Sequence, residues 1–192
     1  MARGKLIVIA APSGCGKTTI AQAIRKRHPA ILFSVSATTR PIRPGEENGK
    51  DYFFLTREEF LKRREEGKLV ESEEIYGNLY GTLKSEVDRV LDAGRVMLFD
   101  VDVKGALSIR RLYPHDAFLI FIAPPSLDVL RHRLENRKTE DAATIARRMA
   151  RVPMELERGN EFDVQVVNDD LEKAIAEVNA LVREHTTGLK LD

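Results

Sequence analysis

The sequence predicts an α/β fold in three layers, a parallel five-stranded core sheet with helices on both faces. Three observations carry that prediction. Short apolar runs alternate with helical patterns, a glycine-rich turn joins the first strand to the first helix, and two polar stretches interrupt the alternation. With 192 residues the chain fits a single domain that can bury a full core without disulfides or metal. Its core spans about 1–35, 92–136 and 160–192, with a mixed α+β insertion at about 36–91 and a helical one at about 137–159.

The first strand is the run Leu6 to Ala10, and the helix after it carries Ile20, Ala21, Ala23 and Ile24 on its apolar side. Between them stands Ala11-Pro12-Ser13-Gly14-Cys15-Gly16-Lys17-Thr18, a phosphate-binding P-loop in its expected strand–turn–helix setting. Such a loop lets consecutive backbone N–H groups close around phosphate oxygens while the helix N-terminus adds positive potential. Lys17 is placed for the β- and γ-phosphates of a triphosphate, and Thr18 for the Mg²⁺ that accompanies one. Ala11 replaces the first glycine of the general pattern, so the bend there must use ordinary φ. The dinucleotide fingerprint does not fit, because the third glycine and the acidic residue about twenty positions on are missing.

Further buried strands are predicted at Ile31 to Val35, Val96 to Phe99, Phe118 to Ile122 and Val164 to Val167. Helices are predicted at Ser126 to Glu135, with Leu127, Leu130 and Leu134 on one face, and at Asp170 to Glu184. In the first insertion Arg40 to Gly45 forms a loop, Tyr52 to Leu55 a strand, and Thr56 with Glu59 opens a helix that Gly67 ends. Leu69 to Glu71 forms another strand, and Tyr76 to Gly81 a loop. The second insertion is charged and helical, suited to closing over a nucleotide.

Lys and Arg number 31 against 30 Asp and Glu, a formal charge of +1, so a nucleic-acid footprint is not expected and phosphate binding should target small molecules. One cysteine excludes an internal disulfide and suits a reducing cytoplasm. Cys15 reads as a small loop side chain rather than a nucleophile, because no histidine stands near it in sequence. The four histidines have no metal-ligand spacing. The basic residues and apolar run at the start lead into the P-loop, which signal cleavage would destroy, and no run approaches a membrane span.

Asp100 lies just beyond the apolar run Val96 to Phe99, where a carboxylate can act on Mg²⁺ directly or through water. Capping of the following helix is the alternative reading of that residue. Taken alone, Arg40 and Arg43 in their proline-rich loop read as an exposed charged turn, although their planar forks, with the hydroxyls of Tyr52 and Tyr80, would also suit a phosphate dianion.

The motif Ser36-Ala37-Thr38-Thr39-Arg40-Pro41-Ile42-Arg43-Pro44-Gly45-Glu46-Glu47-Asn48-Gly49-Lys50-Asp51-Tyr52 resembles guanylate kinases. So do Tyr80-Gly81-Thr82, Asp100-Val101-Asp102, Ile122 to Ser126 and Val167 to Asp170, over nearly the whole length. The resemblance implies transfer of the γ-phosphoryl group of ATP to GMP, with dGMP as a further acceptor and Mg²⁺ as cofactor. It implies that Ala11 to Thr19 and Asn168 bind the donor nucleotide, and that Thr18 and Asp100 serve the metal. Arg40, Arg43, Tyr52 and Tyr80 would hold the GMP phosphate, with Glu46 of the same motif on the acceptor side. Glu71 and Asp102 would read guanine, with hydroxyls from Ser36 and Thr82. Two adjacent donors on guanine suit carboxylates, whereas adenine has an acceptor at its ring N1.

Of Arg133, Arg137, Arg147, Arg148 and Arg151, the resemblance singles out Arg137 and Arg148, with Lys17, as catalytic. Lys138 replaces a common glycine, and Ser72 and Glu73 replace an aromatic and a small residue. Two rivals stay open at this stage: a P-loop kinase for another monophosphate or a sugar phosphate, and a non-catalytic scaffold domain. A monomer and a homo-oligomer are equally compatible with the sequence.

Overall fold

The computed structural model describes residues 3–75, 77–136 and 142–191. Five strands form the core sheet: β1 (Lys5–Ala10), β2 (Leu32–Phe33), β7 (Val96–Val101), β8 (Ala117–Ala123) and β9 (Val164–Val167). Their order is β2-β7-β1-β8-β9, and every pairing is parallel. The central β1 has no polar face because both faces are covered. Ile7 and Ile9 join one core cluster, which includes Ile20 and Ile24 of α1 (Lys17–Arg27) and Ile175 and Val178 of α7 (Leu171–His185). Leu6, Val8 and Ala10 point the other way, into a cluster with Val87 and Val90 of α3 (Lys84–Asp92) and Ala106 and Ile109 of α4 (Val103–Leu112). Strand periodicity thus produces the three predicted layers.

The second sheet, ordered β4-β3-β6-β5, comes from the first insertion: β3 (Ala37–Thr38), β4 (Phe53–Phe54), β5 (Leu69–Ile75) and β6 (Asn78–Leu83). Phe60 of α2 (Arg57–Glu65) packs with Ala37, Leu79 and Leu83 as its small core. The Thr56–Glu59 capping box is formed in both directions, and Gly67 follows α2 at φ 66°, the left-handed turn that glycine adopts without strain.

One loop expectation is corrected. Asn78 to Gly81 belongs to β6, which pairs antiparallel with β5 and with β3, while Tyr76 lies outside the described residues. Tyr-Gly-Asn-Leu carries turn signals, and Gly77, at φ 79°, lies in the turn, but Asn78 and Leu79 are already strand. From Asn78 onward the chain pairs with β5, and at Tyr80 and Gly81 with β3 as well, and that pairing overrides the local signal.

The second insertion is α6 (Ala142–Arg158), a 17-residue helix that contains Pro153 and runs beside α5 (Leu127–Glu135). No helix among the described residues is long and apolar enough to cross a membrane.

Candidate active site

The site lies beyond the carboxyl ends of β1 and β7, where strand order reverses on either side of β1 and the connecting loops part. Cys15 N–H donates to the Pro12 carbonyl at 3.3 Å, and α1 begins directly at Lys17. Gly14 and Gly16 hold φ of 93° and 81°. A Cβ on Gly16 would stand 2.6 Å from Nδ2 of Asn168, so glycine is required there by space as well as by backbone angle. That same Nδ2 donates to the Cys15 carbonyl at 2.8 Å, tying the loop after β9 to the P-loop. Oδ1 of Asn168 is buried without a protein partner, an acceptor left over at the loop's edge. Cys15 is fully buried, and burial pushes its thiol up to about 12, which removes any nucleophilic role.

Lys17 reaches across the loop to form an ion pair with Asp100 at the end of β7. The alternative of Asp100 as a helix cap does not hold: Asp102 caps α4, with Oδ1 accepting from Gly105 N–H at 2.7 Å. Thr18 and Thr19 are exposed in the first turn of α1. From α6, Arg148 donates to the hydroxyl of Ser13. Arg137 lies outside the described residues. Arg133 is braced against the chain, donating to the Asn168 carbonyl at 2.9 Å.

A cleft of about 700 Å³ joins these parts, large enough for a nucleotide. The P-loop forms one wall, Asp102 and the Glu73–Glu74 pair another, and Thr144, Arg147, Arg148, Arg151 and Glu155 of α6 the third.

Behind Asp102 the two strands of the first insertion carry Glu71 and Thr82, whose hydroxyl donates to Glu71 Oε1 at 2.8 Å. Burial raises the Glu71 pKa above the ordinary carboxylate range; the Thr82 hydrogen bond pulls it down and the charge of Asp102 pushes it up. Both acids crowd the same residue, since a Cβ on Gly105 would lie 3.1 Å from Asp102 Oδ1 and 3.7 Å from Glu71 Cγ. Ser36 sits at the start of β3, half-buried, with its carbonyl paired to Phe53 N–H.

Further out, the Arg40 fork grips Glu46 in a bidentate pair of 2.7 and 3.0 Å and lies 5.3 Å over the Tyr52 ring. Tyr52 meets Tyr80 edge-on at 6.1 Å. Glu46 also accepts from the Arg43 N–H at 2.7 Å, and its pKa is lowered first by Arg40 and then by that backbone bond. Both Glu46 oxygens are therefore committed to the loop, while the Arg43 side chain is exposed.

Sequence reasoning missed Arg151 as a site residue, and Glu155 altogether. Glu155 is buried in the cleft, and burial raises its pKa against the lowering influence of Arg151. The signal was the one-face spacing of positions 148, 151 and 155, which is hard to separate from an ordinary charged helix.

The fold and cleft define a P-loop phosphotransferase architecture in which the carboxylates of Glu73, Asp102 and Glu155 share the cavity with the loop. The sequence model of the family described as Guanylate kinase matches residues 3–185. The guanylate kinase of Salinibacter ruber is 49% identical over 180 residues, covering 93% of this chain and 95% of that protein. That of Thermotoga maritima is 48% identical over 181 residues, covering 94% and 87%. The crystal structure of guanylate kinase from Anaplasma phagocytophilum superposes with a TM-score of 0.72 at 30% identity, covering 99% of this chain and 90% of that one. The chain belongs to the guanylate kinase family.

Proposed function

We propose that the protein transfers the γ-phosphoryl group of ATP to GMP, yielding ADP and GDP, that dGMP is also accepted, and that it works in the cytoplasm on these free nucleotides. The observation that carries this reading is the cleft: Asp102, one of two acids that flank Gly105, lines the same cavity as the P-loop, and Glu71, the other, is bonded to Thr82 behind it. A phosphate cradle and one of the proposed base-reading carboxylates thus share one cavity.

In the transfer, an oxygen of the acceptor phosphate forms a bond to the γ-phosphorus as the bond to the β–γ bridging oxygen breaks. No protein group is modified, so positioning and charge neutralisation supply the rate. P-loop N–H groups and Lys17 hold the donor phosphates, with Asn168 at the edge of the donor site. Arg148, beside Ser13, and Arg137 meet the migrating group. Arg40, Arg43, Tyr52 and Tyr80 hold the acceptor phosphate, and Glu46 presents the Arg40 fork by gripping it from the loop side. Glu71, Asp102, Ser36 and Thr82 read guanine.

The residues fit magnesium. The Thr18 hydroxyl and the Asp100 carboxylate are oxygen donors of the kind Mg²⁺ takes, and its remaining ligands would be phosphate and water. Thr18 and Asp100 are the residues that would hold it, and it would supply charge neutralisation on the donor phosphates.

The test is incubation of purified protein with ATP and a panel of nucleoside monophosphates. Consumption of GMP and dGMP, with AMP, CMP and UMP spared by ~10⁴ in kcat/KM, is expected. Equal turnover of AMP would overturn the reading.

A further inference from the structure

The cleft-facing side of α6 carries a residue that neither the P-loop nor the phosphate clamp explains. Arg151 places its guanidinium 3.8 Å from Asp102 Oδ2 and 3.4 Å from Glu155 Oε1, four residues along the same helix. Among the described residues Asp102 is otherwise held by one oxygen only, Oδ1, which caps α4. Oδ2 is the atom left for a ligand, and Arg151 is the charge that lies beside it. The surroundings make that charge matter. Burial raises the carboxyls of Glu71 and Glu155, and the charges of Asp102 and Glu73 push both up further. Arg151 pairs with two of these four acids at once, from a helix that also touches the P-loop through Arg148 and Ser13.

We propose that Arg151 is a positioning residue for the acceptor base: it fixes the direction of the Asp102 carboxylate, and through Glu155 it ties that direction to the seating of α6. At 3.8 Å the pair is an ion pair and not a hydrogen bond, so Oδ2 keeps lone pairs for an incoming donor. The exocyclic amine of guanine is the donor of the right chemistry, since it projects from the base edge and can share Oδ2 with a neighbouring cation. Arg151 then acts on base selection rather than on the migrating phosphoryl group. This inference rests on the reading of the acceptor as GMP.

The test compares Arg151→Met, Arg151→Lys and Asp102→Asn in steady-state kinetics with GMP and with IMP, which lacks the exocyclic amine. In Arg151→Met, KM for GMP is expected to rise about tenfold, with kcat and the KM for ATP each within about twofold of wild type. The kcat/KM ratio of GMP to IMP is expected to fall by a similar factor, and Arg151→Lys to recover part of it. Equal losses toward GMP and IMP would overturn the proposal, because a general loss of positive charge or of helix packing weakens both alike. A raised KM for ATP with GMP unaffected would overturn it by assigning Arg151 to the donor phosphates. If Asp102→Asn raises the GMP KM while both Arg151 variants leave it unchanged, the base pocket stands and the Arg151 role falls. If Glu71→Gln and Asp102→Asn both leave GMP selection untouched, the acceptor reading itself has failed.

Discussion

Asn168 and Cys15 stand 153 positions apart in the chain, yet a 2.8 Å hydrogen bond joins the side-chain amide of one to the backbone carbonyl of the other. The loop after β9 thereby holds the P-loop from behind. Asn168→Ala leaves the Cys15 carbonyl buried without its donor, a loss of ~1–3 kcal/mol, and loosens the donor cradle. The expected outcome is a Tm lower by several degrees and a larger rise in KM for ATP than for GMP, read by thermal melts and initial rates.

Lys17 is paired with Asp100, so its ammonium already lies at the floor of the phosphate site. Removing it as Lys17→Ala should lower kcat by ~10² to 10³ while GMP binding, followed by calorimetry, stays near wild type. An unchanged kcat would take Lys17 out of the transfer step.

The proposed acceptor clamp involves Glu46 as well as its arginines. Glu46→Ala releases the Arg40 fork and the Arg43 N–H together, and Arg43→Ala removes a cation outright. Both should weaken GMP by about tenfold or more and leave the KM for ATP within about twofold, since charge-assisted, bidentate contacts carry phosphate recognition. Equal losses for both nucleotides would place these residues outside the acceptor site.

Glu71 gives a pH signature. Burial raises its folded pKa, so the folded state binds a proton more tightly than the unfolded chain. Its contribution is most favourable below the ordinary carboxylate range, and is lost as pH rises through the raised value. Glu71→Gln keeps an acceptor for Thr82 without the charge. It should therefore raise Tm at neutral pH, lose that advantage in acid, and lose guanine selection at every pH. Each kcal/mol of gain corresponds to about 2–4 °C in a protein of this size.

What the sequence made legible was local. β9 falls at Val164–Val167 as read, Ser126 and Asp170 cap the helices that begin after them, and the capping box at Thr56 closes as its spacing requires. The P-loop announces itself because strand, glycines and lysine are contiguous. What escaped depends on partners distant in the chain. β6 needs β3 and β5 to declare itself a strand. Arg151 is one arginine among several until Asp102, far from it in the chain, is set beside it. Glu46 is expected on the acceptor side from the motif alone, and only the fold adds that it grips Arg40 of the same loop.

Asp102 caps α4 with one oxygen and turns the other toward the cleft. Only Asp, Asn, Ser and Thr serve well in such a cap, so the helix restricts which residues position 102 can accept before any substrate is considered. An evolving acceptor preference at this site can explore that short alphabet alone. Under the proposed base-reading roles, a shift to another base would begin at Glu71, inside β5, where no helix end is at stake.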